Sequence, residues 1–165
     1  MLRVCTALSL VAAFSFLTGC GTSNSNCDLS DVGEGQLLGS IDGSDWAISG
    51  VSYMWSGSSL MVNAPTASDY WMSAVLQKDN NGASIEDSLA DNSTLQVTLD
   101  STGSTGWVTL YPQSGSSYTT KSGGGTFSVT FNADDTLSGC FSVDAASDDS
   151  TIQASGQFIA LPSSL

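Results

Sequence analysis

The sequence predicts an all-β domain, an antiparallel β-sandwich of roughly nine or ten strands, with a partly open β-barrel as the alternative. Three observations carry that expectation. From Leu37 onward, short stretches alternate apolar and polar residues and are broken at close intervals by Gly, Ser, Asn and Asp. No segment sustains a helical period for three turns. The chain closes on three consecutive alternating stretches joined by turn sequences, the pattern of an antiparallel meander.

Taken in order, residues 21–36, GTSNSNCDLSDVGEGQ, are polar and rich in Gly and Ser and read as a flexible tether. Trp46 and Ile48 then share a face, whereas Val51, Tyr53 and Trp55 have the opposite parity. One inserted residue brings both sets to one side, and Gly50, with no Cβ, is the natural place for that β-bulge. Leu60/Val62, Tyr70/Met72/Ala74/Leu76, Leu95/Val97/Leu99 and Val108/Leu110 add further inward faces. Two connections exceed hairpin length. Between Lys78 and Thr94, Ser84 is placed to cap a single helical turn, with Asp87 in the capping-box position and Ile85 and Leu89 stacked. Pro112 to Gly125 is rich in Ser and Gly and reads as a loop. In the closing meander Phe127, Val129 and Phe131 share a face, as do Leu137, Gly139, Phe141, Val143 and Ala145, then Ile152, Ala154, Gly156, Phe158 and Ala160. Cys140 therefore points outward.

Ahead of this domain, Met1-Leu2-Arg3 gives a short positive start and an apolar run extends from Val4 to Leu17, about the length of a signal-peptide core. Leu17-Thr18-Gly19-Cys20 closes the run and resembles the lipobox of bacterial lipoproteins. The resemblance implies that Cys20 is alkylated with diacylglycerol and becomes residue one after cleavage. Residues 1–19 are then a signal peptide, 20–36 the tether and 37–165 a single β domain. With Gly21 rather than Asp after the cysteine, the enterobacterial sorting rule favours the outer membrane, and the partner is the membrane itself through the N-terminal lipid. Without the resemblance, the stretch reads as a cleaved secretory signal with an incidental cysteine or as a membrane helix. A spanning helix wants ~20 apolar residues, and Ser9, Ser15 and Thr18 interrupt a shorter run here.

Removing residues 1–19 leaves 165 − 19 = 146 residues, enough for one domain with a core. Arg3 leaves with the leader, so Lys78 and Lys121 face all 16 acidic residues, a net charge of 2 − 16 = −14. Such a surface repels nucleic acid and anionic lipid. Cys5 is removed and Cys20 acylated, which leaves Cys27 and Cys140 as an even pair in an oxidising compartment, expected as a disulfide.

The order Ile41-Asp42-Gly43-Ser44-Asp45-Trp46, then Leu137-Ser138-Gly139-Cys140-Phe141-Ser142-Val143-Asp144-Ala145, then Ala154-Ser155-Gly156-Gln157-Phe158 is similar to a group of bacterial lipoproteins of unassigned activity. Their domain opens on a D-G-x-x-W strand and closes on S-G-x-F-x-F-x-A and G-x-F strands. Cys140 stands where that pattern more often has Thr, and Val143 where it has an aromatic. The resemblance implies a membrane-tethered all-β domain and carries over no catalytic residues.

Chemistry is bounded mainly by what is missing. The chain has no His, hence no Ser-His-Asp triad, Cys-His pair or ordinary zinc site. Losing Arg3 also removes the usual planar clamp for phosphate or carboxylate. The domain therefore reads as non-enzymatic and without a cofactor. Asp79-Asn80-Asn81-Gly82 is oxygen-rich but lacks the spacing and terminal Glu of an EF-hand, which leaves Asp79 and Asn81 as a Ca²⁺ candidate on composition alone. Asp42/Asp45, Glu86/Asp87 and Asp134/Asp135 are pairs of the kind a carboxylate-dependent glycosidase uses, although each sits in turn-like sequence where Asp bonds its own backbone. If Met72 and Val108 face inward, then Trp71, Trp107 and Tyr111 face outward, where aromatic rings stack on sugars. The reading is a lipid-anchored envelope protein acting as a binding or structural module, with a glycan or an envelope protein as its partner. A carbohydrate-binding domain using the outward aromatics is the alternative, and a glycosidase stands behind it.

Because the acyl chain needs the Cys20 thiol, Cys20→Ser should block both lipidation and the cut before residue 20. Fractionation and amino-terminal mass analysis check this; wild-type protein recovered wholly in the soluble envelope fraction with an unmodified Cys20 would contradict it.

Overall fold

The computed structural model describes residues 27–65, 69–90 and 92–163. The leader, Cys20 and the first part of the expected tether lie outside the described residues. Ten strands follow in chain order: β1 (Gln36–Ile41), β2 (Ser44–Ser49), β3 (Ser52–Ser56), β4 (Ser59–Ala64), β5 (Tyr70–Leu76), β6 (Thr94–Leu99), β7 (Gly106–Pro112), β8 (Tyr118–Phe131), β9 (Leu137–Ala146) and β10 (Thr151–Pro162). One helical turn, α1 (Ile85–Ser88), lies between β5 and β6. The all-β expectation and its strand count hold.

Pairing sorts the strands into a six-stranded layer, β2-β1-β10-β9-β8-β6, and a four-stranded layer, β3-β4-β5-β7. The two long strands join the layers. At its end, β10 pairs Leu161 and Pro162 with Ser52 and Tyr53 of β3, the parallel contact in an otherwise antiparallel set. At its start, β8 pairs Tyr118 and Thr119 with Leu110 and Thr109 of β7 while Thr119 also faces Ala146 of β9, and it then runs on between β9 and β6. Its register shifts between Thr119 and Gly124, and there the buried Thr120 hydroxyl accepts the Val108 N–H (3.0 Å). A side chain thus takes the place of a lost ladder acceptor.

Inward alternation builds one core between the layers, with Phe127, Phe158, Leu37, Leu60, Met72 and Leu110 among its fully buried side chains. The fit rests on pairing glycine with aromatic residues across strands. Trp46, Gly39, Gly156 and Phe141 follow one another in register from β2 to β9. Two bare glycines leave room for Trp46 and Phe141 to meet edge-to-face above them, their centroids 6.4 Å apart. One row away, Gly139 of β9 lies opposite Phe158 of β10. A Cβ on Gly139 would sit 2.2 Å from the Ser128 carbonyl oxygen and 2.7 Å from the Phe158 ring. Two aromatic side chains also tie layer to layer. Trp46 Nε1 donates to the Tyr70 carbonyl (3.3 Å), and the Tyr53 hydroxyl donates to the Asp135 carbonyl (2.8 Å).

Several sequence expectations are met in detail. The meander, the outward Cys140 and the capped turn at Ser84 are all present; Ser84 Oγ accepts the Asp87 N–H (3.2 Å) and donates to its carboxylate (2.7 Å). Others need correction. Gly50 is not a bulge within one strand: at φ +81° it turns the chain from β2, which pairs with β1, to β3 in the other layer. Val51 and Tyr53 are buried as expected, but Trp55, beside the β3–β4 turn, is exposed. The sequence from Pro112 to Gly125 is not all loop, since β8 begins at Tyr118. Nor is the tether free to residue 36. Cys27 is bonded to Cys140 with their Cα atoms 5.6 Å apart, and Val32 beyond it is buried.

Gly139→Ala should destabilise the domain by about 1–3 kcal/mol, the usual range for overpacking a filled core. Urea unfolding checks it against Ser142→Ala on the same strand but facing solvent, expected within ~0.5 kcal/mol of wild type.

Candidate functional site

Outward alternation on β5 and β7 places Trp71, Trp107 and Tyr111 on the outer face of the four-stranded layer, each half-buried. The register then decides which of them meet. Trp71 pairs with Tyr111 across β5 and β7, and the rings stack with centroids 3.7 Å apart and planes 9° from parallel. Trp107 pairs instead with Val75, in a row that continues through Met61 to Met54 on β3. Between the stack and this apolar row runs a polar one, Ser52, Asn63, Ser73 and Thr109. Within it Ser73 Oγ donates to Asn63 Oδ1 (3.0 Å), fixing the amide with its N–H donors unused by that contact. Trp107 and Tyr111 do not form the single surface their shared parity suggests. They are separate stations about 14 Å apart at ~3.4 Å per residue, with Thr109 midway.

The face is neutral. Ser, Met, Asn, Trp, Val, Thr and Tyr supply its outward positions on β3, β4, β5 and β7, and none of the 16 acidic residues stands there. Sequence parity was sufficient to find Trp71, Trp107 and Tyr111, and it points equally to Met54, Met61 and Val75, whose neighbourhood only the register shows. Stacked rings each keep one face for a ligand, so the Trp71–Tyr111 pair is a wall rather than a floor.

The acidic residues lie elsewhere. A cleft of about 320 Å³ between the β1–β2 turn and the start of β5 is lined by Asp42, Asp45, Asp69, Trp46 and Tyr70. It brings the expected pair Asp42/Asp45 together with Asp69, which sequence spacing does not reveal. Burial, and then Tyr118, Asp42 and Asp69 nearby, push the Tyr70 hydroxyl above its ordinary range. Glycosidases set one carboxyl apart by burying it, whereas Asp42, Asp45 and Asp69 are all exposed. Asp42 also accepts the Gln153 N–H (2.8 Å). The other pairs are taken up locally. Asp87, inside α1, accepts the hydroxyl of the capping Ser84 (2.7 Å), and Asp134 accepts the Thr136 hydroxyl (2.7 Å) and N–H (3.1 Å), which hold its carboxyl below the usual value.

The Ca²⁺ candidate is used in the same way. Desolvation pushes the Asp79 carboxyl up, but hydrogen bonds from the Ala83 and Asn81 backbone and from Ser88 outweigh it and hold the group low. Asp79 therefore staples its own loop. Among the described residues no three acidic or cysteine side chains are grouped so as to hold a metal.

Compared with known proteins, the chain matches no family model, no curated protein and no solved structure.

A double-mutant cycle on Trp71→Ala and Tyr111→Ala should give a coupling of about 0.5–1.5 kcal/mol in unfolding free energy, the range of aromatic pairs. Additive losses would contradict the stack.

Proposed function

We propose that this chain is a lipid-anchored protein of the bacterial envelope, acting as a non-enzymatic binding module through the outer face of its four-stranded layer. The anchor rests on Leu17-Thr18-Gly19-Cys20 and the apolar run before it. At ~0.8 kcal/mol per buried methylene, two or three acyl chains hold a protein on a membrane far more firmly than a single myristoyl chain. A disulfide between Cys27 and Cys140 suits the oxidising compartment that this location implies.

The observation that carries the binding reading is the neutral aromatic face on an otherwise strongly acidic molecule. Its chemistry favours a neutral glycan. Sugar rings have apolar C–H faces that stack on indole and phenol, and hydroxyls that need donors and acceptors between the stacking points. Trp107 and the Trp71–Tyr111 pair supply the first, and Asn63, Ser73 and Thr109 the second. An anionic polymer would gain no cation there and would meet repulsion from the surrounding carboxylates. The span between the two stations suits a short oligosaccharide rather than a single ring. A hydrolytic role at the Asp42/Asp45/Asp69 cleft has less support, because its carboxylates are exposed alike.

On a glycan array the delipidated domain should bind neutral oligosaccharides, and Trp107→Ala should abolish that binding. Its stability should fall by less than the ~3–5 kcal/mol typical of deleting a fully buried Trp. No glycan bound, with release of reducing sugar instead, would favour the cleft.

A further inference from the structure

The two layers lie back to back, so their outer faces look in opposite directions, and the amino end of the domain is fastened to one of them. Cys140 points outward from β9, the fourth of six strands in its layer, and its disulfide draws Cys27 onto that face. Beyond the bond, Asp31 borders a shallow depression on that face together with Leu38, Ser40, Cys140 and Gln157. The aromatic stations occupy the opposite side of the molecule.

We propose that the Cys27–Cys140 disulfide is an orienting clamp: it seats the outer face of the six-stranded layer toward the lipid surface and presents the aromatic face away from it. The inference rests on the lipid anchor at Cys20. From Cys20 to Cys27 the chain advances 27 − 20 = 7 residues, at most about 25 Å when fully extended at ~3.5 Å per residue. To lay the aromatic face on the membrane, that leash would have to cross two strand spacings of ~4.8 Å from β9 to the β6 edge. It would then have to pass a sandwich about 20 Å thick, counting ~10 Å between sheets and half as much for the side chains outside each. The path is longer than the leash even with every residue stretched.

In register from β2 to β6 the layer turned to the membrane carries Asp45, Ser40, Ser155, Ser142, Thr126 and Thr98, with Asp144 of β9 on the same face. Short hydroxyls and two carboxylates therefore meet the headgroups, which suits a zwitterionic surface and not an anionic one. Without the bond, the first buried side chain would be Val32, and 32 − 20 = 12 residues of leash, at most about 42 Å at ~3.5 Å per residue, would allow either face to turn down.

The test uses the full-length lipidated protein, isotopically labelled and reconstituted in phosphatidylcholine nanodiscs with a nitroxide-bearing headgroup lipid. Amide signals of Ser128, Cys140 and Gln157 should be attenuated several-fold more than those of Asn63, Ser73 and Thr109. A Gly-Ser insertion of about twelve residues ahead of Cys27, adding ~20 Å of flexible reach with the disulfide intact, should even out the two sets. Equal or reversed attenuation in the wild type, or contrast that survives the insertion, would overturn the clamp. If Cys20 carries no lipid, the anchor fails and the clamp with it; if it carries lipid and the contrast is missing, only the clamp fails.

Discussion

Two strands, β8 and β10, are each shared by both layers, and the rest of the structure depends on that sharing. β8 runs 14 residues and β10 runs 12, long enough to pair in one layer and finish in the other. Hydrogen bonding is thereby continuous around the core, and among the described residues the sandwich has two open edges, β2 and β6. Exposed edges invite pairing with other chains. The β6 edge is blunted by Asn80, whose Nδ2 donates to the Gln96 carbonyl (3.2 Å) while its Oδ1 accepts the Thr98 N–H (2.8 Å). One side-chain amide thus imitates a passing strand. The crossings have their own requirement, an acceptor or donor wherever a strand changes partners. Thr120 meets it on β8, and the Val51 and Tyr53 carbonyls meet it at the end of β10 by accepting from Leu161 and Ser163.

Much of this is written in period-two alternation. Leu137 to Ala145 has an apolar residue or glycine at every second position, so its inner face and the outward Cys140 follow from the pleat alone. The turn at Ser84 is equally local. Register between distant strands is not. Trp71 and Tyr111 both read as outward, yet nothing in β5 or β7 taken singly says that they stack, while Trp107 falls beside Val75. The first half of β8 was hidden for another reason: Tyr118 to Gly125 has the Ser, Thr and Gly content of a loop, and its strand character comes from partners in β7 and β9. Gly50 shows a local signal with a longer-range meaning. The parity change around it is real, but it marks a corner between layers rather than a bulge within one.

The sharing of strands also gives the molecule two unlike sides. One carries the disulfide and the start of the domain, the other a neutral surface of aromatic, methionine and hydroxyl side chains. Acidic residues gather instead at turns such as 42–45, 79–87, 100 and 134–135. Several of them cap their own loops. Asp100 accepts from the Thr102 hydroxyl (2.6 Å) and from the Thr102 and Gly103 N–H groups (both 3.0 Å), and these bonds hold its carboxyl below the ordinary range. A surface of this kind repels like molecules and leaves one face free of charge.

Anchor and disulfide together form the central claim, and one measurement reads both. Cut before Cys20 as proposed, the chain would have lysines only at 78 and 121, and trypsin would divide it into residues 20–78, 79–121 and 122–165. Digestion of protein taken directly from envelope membranes, without reduction, should yield the first and last fragments joined by the Cys27–Cys140 bond, with acyl mass on Cys20. Separate fragments with alkylatable thiols at Cys27 and Cys140, or an unmodified Cys20, would contradict the account.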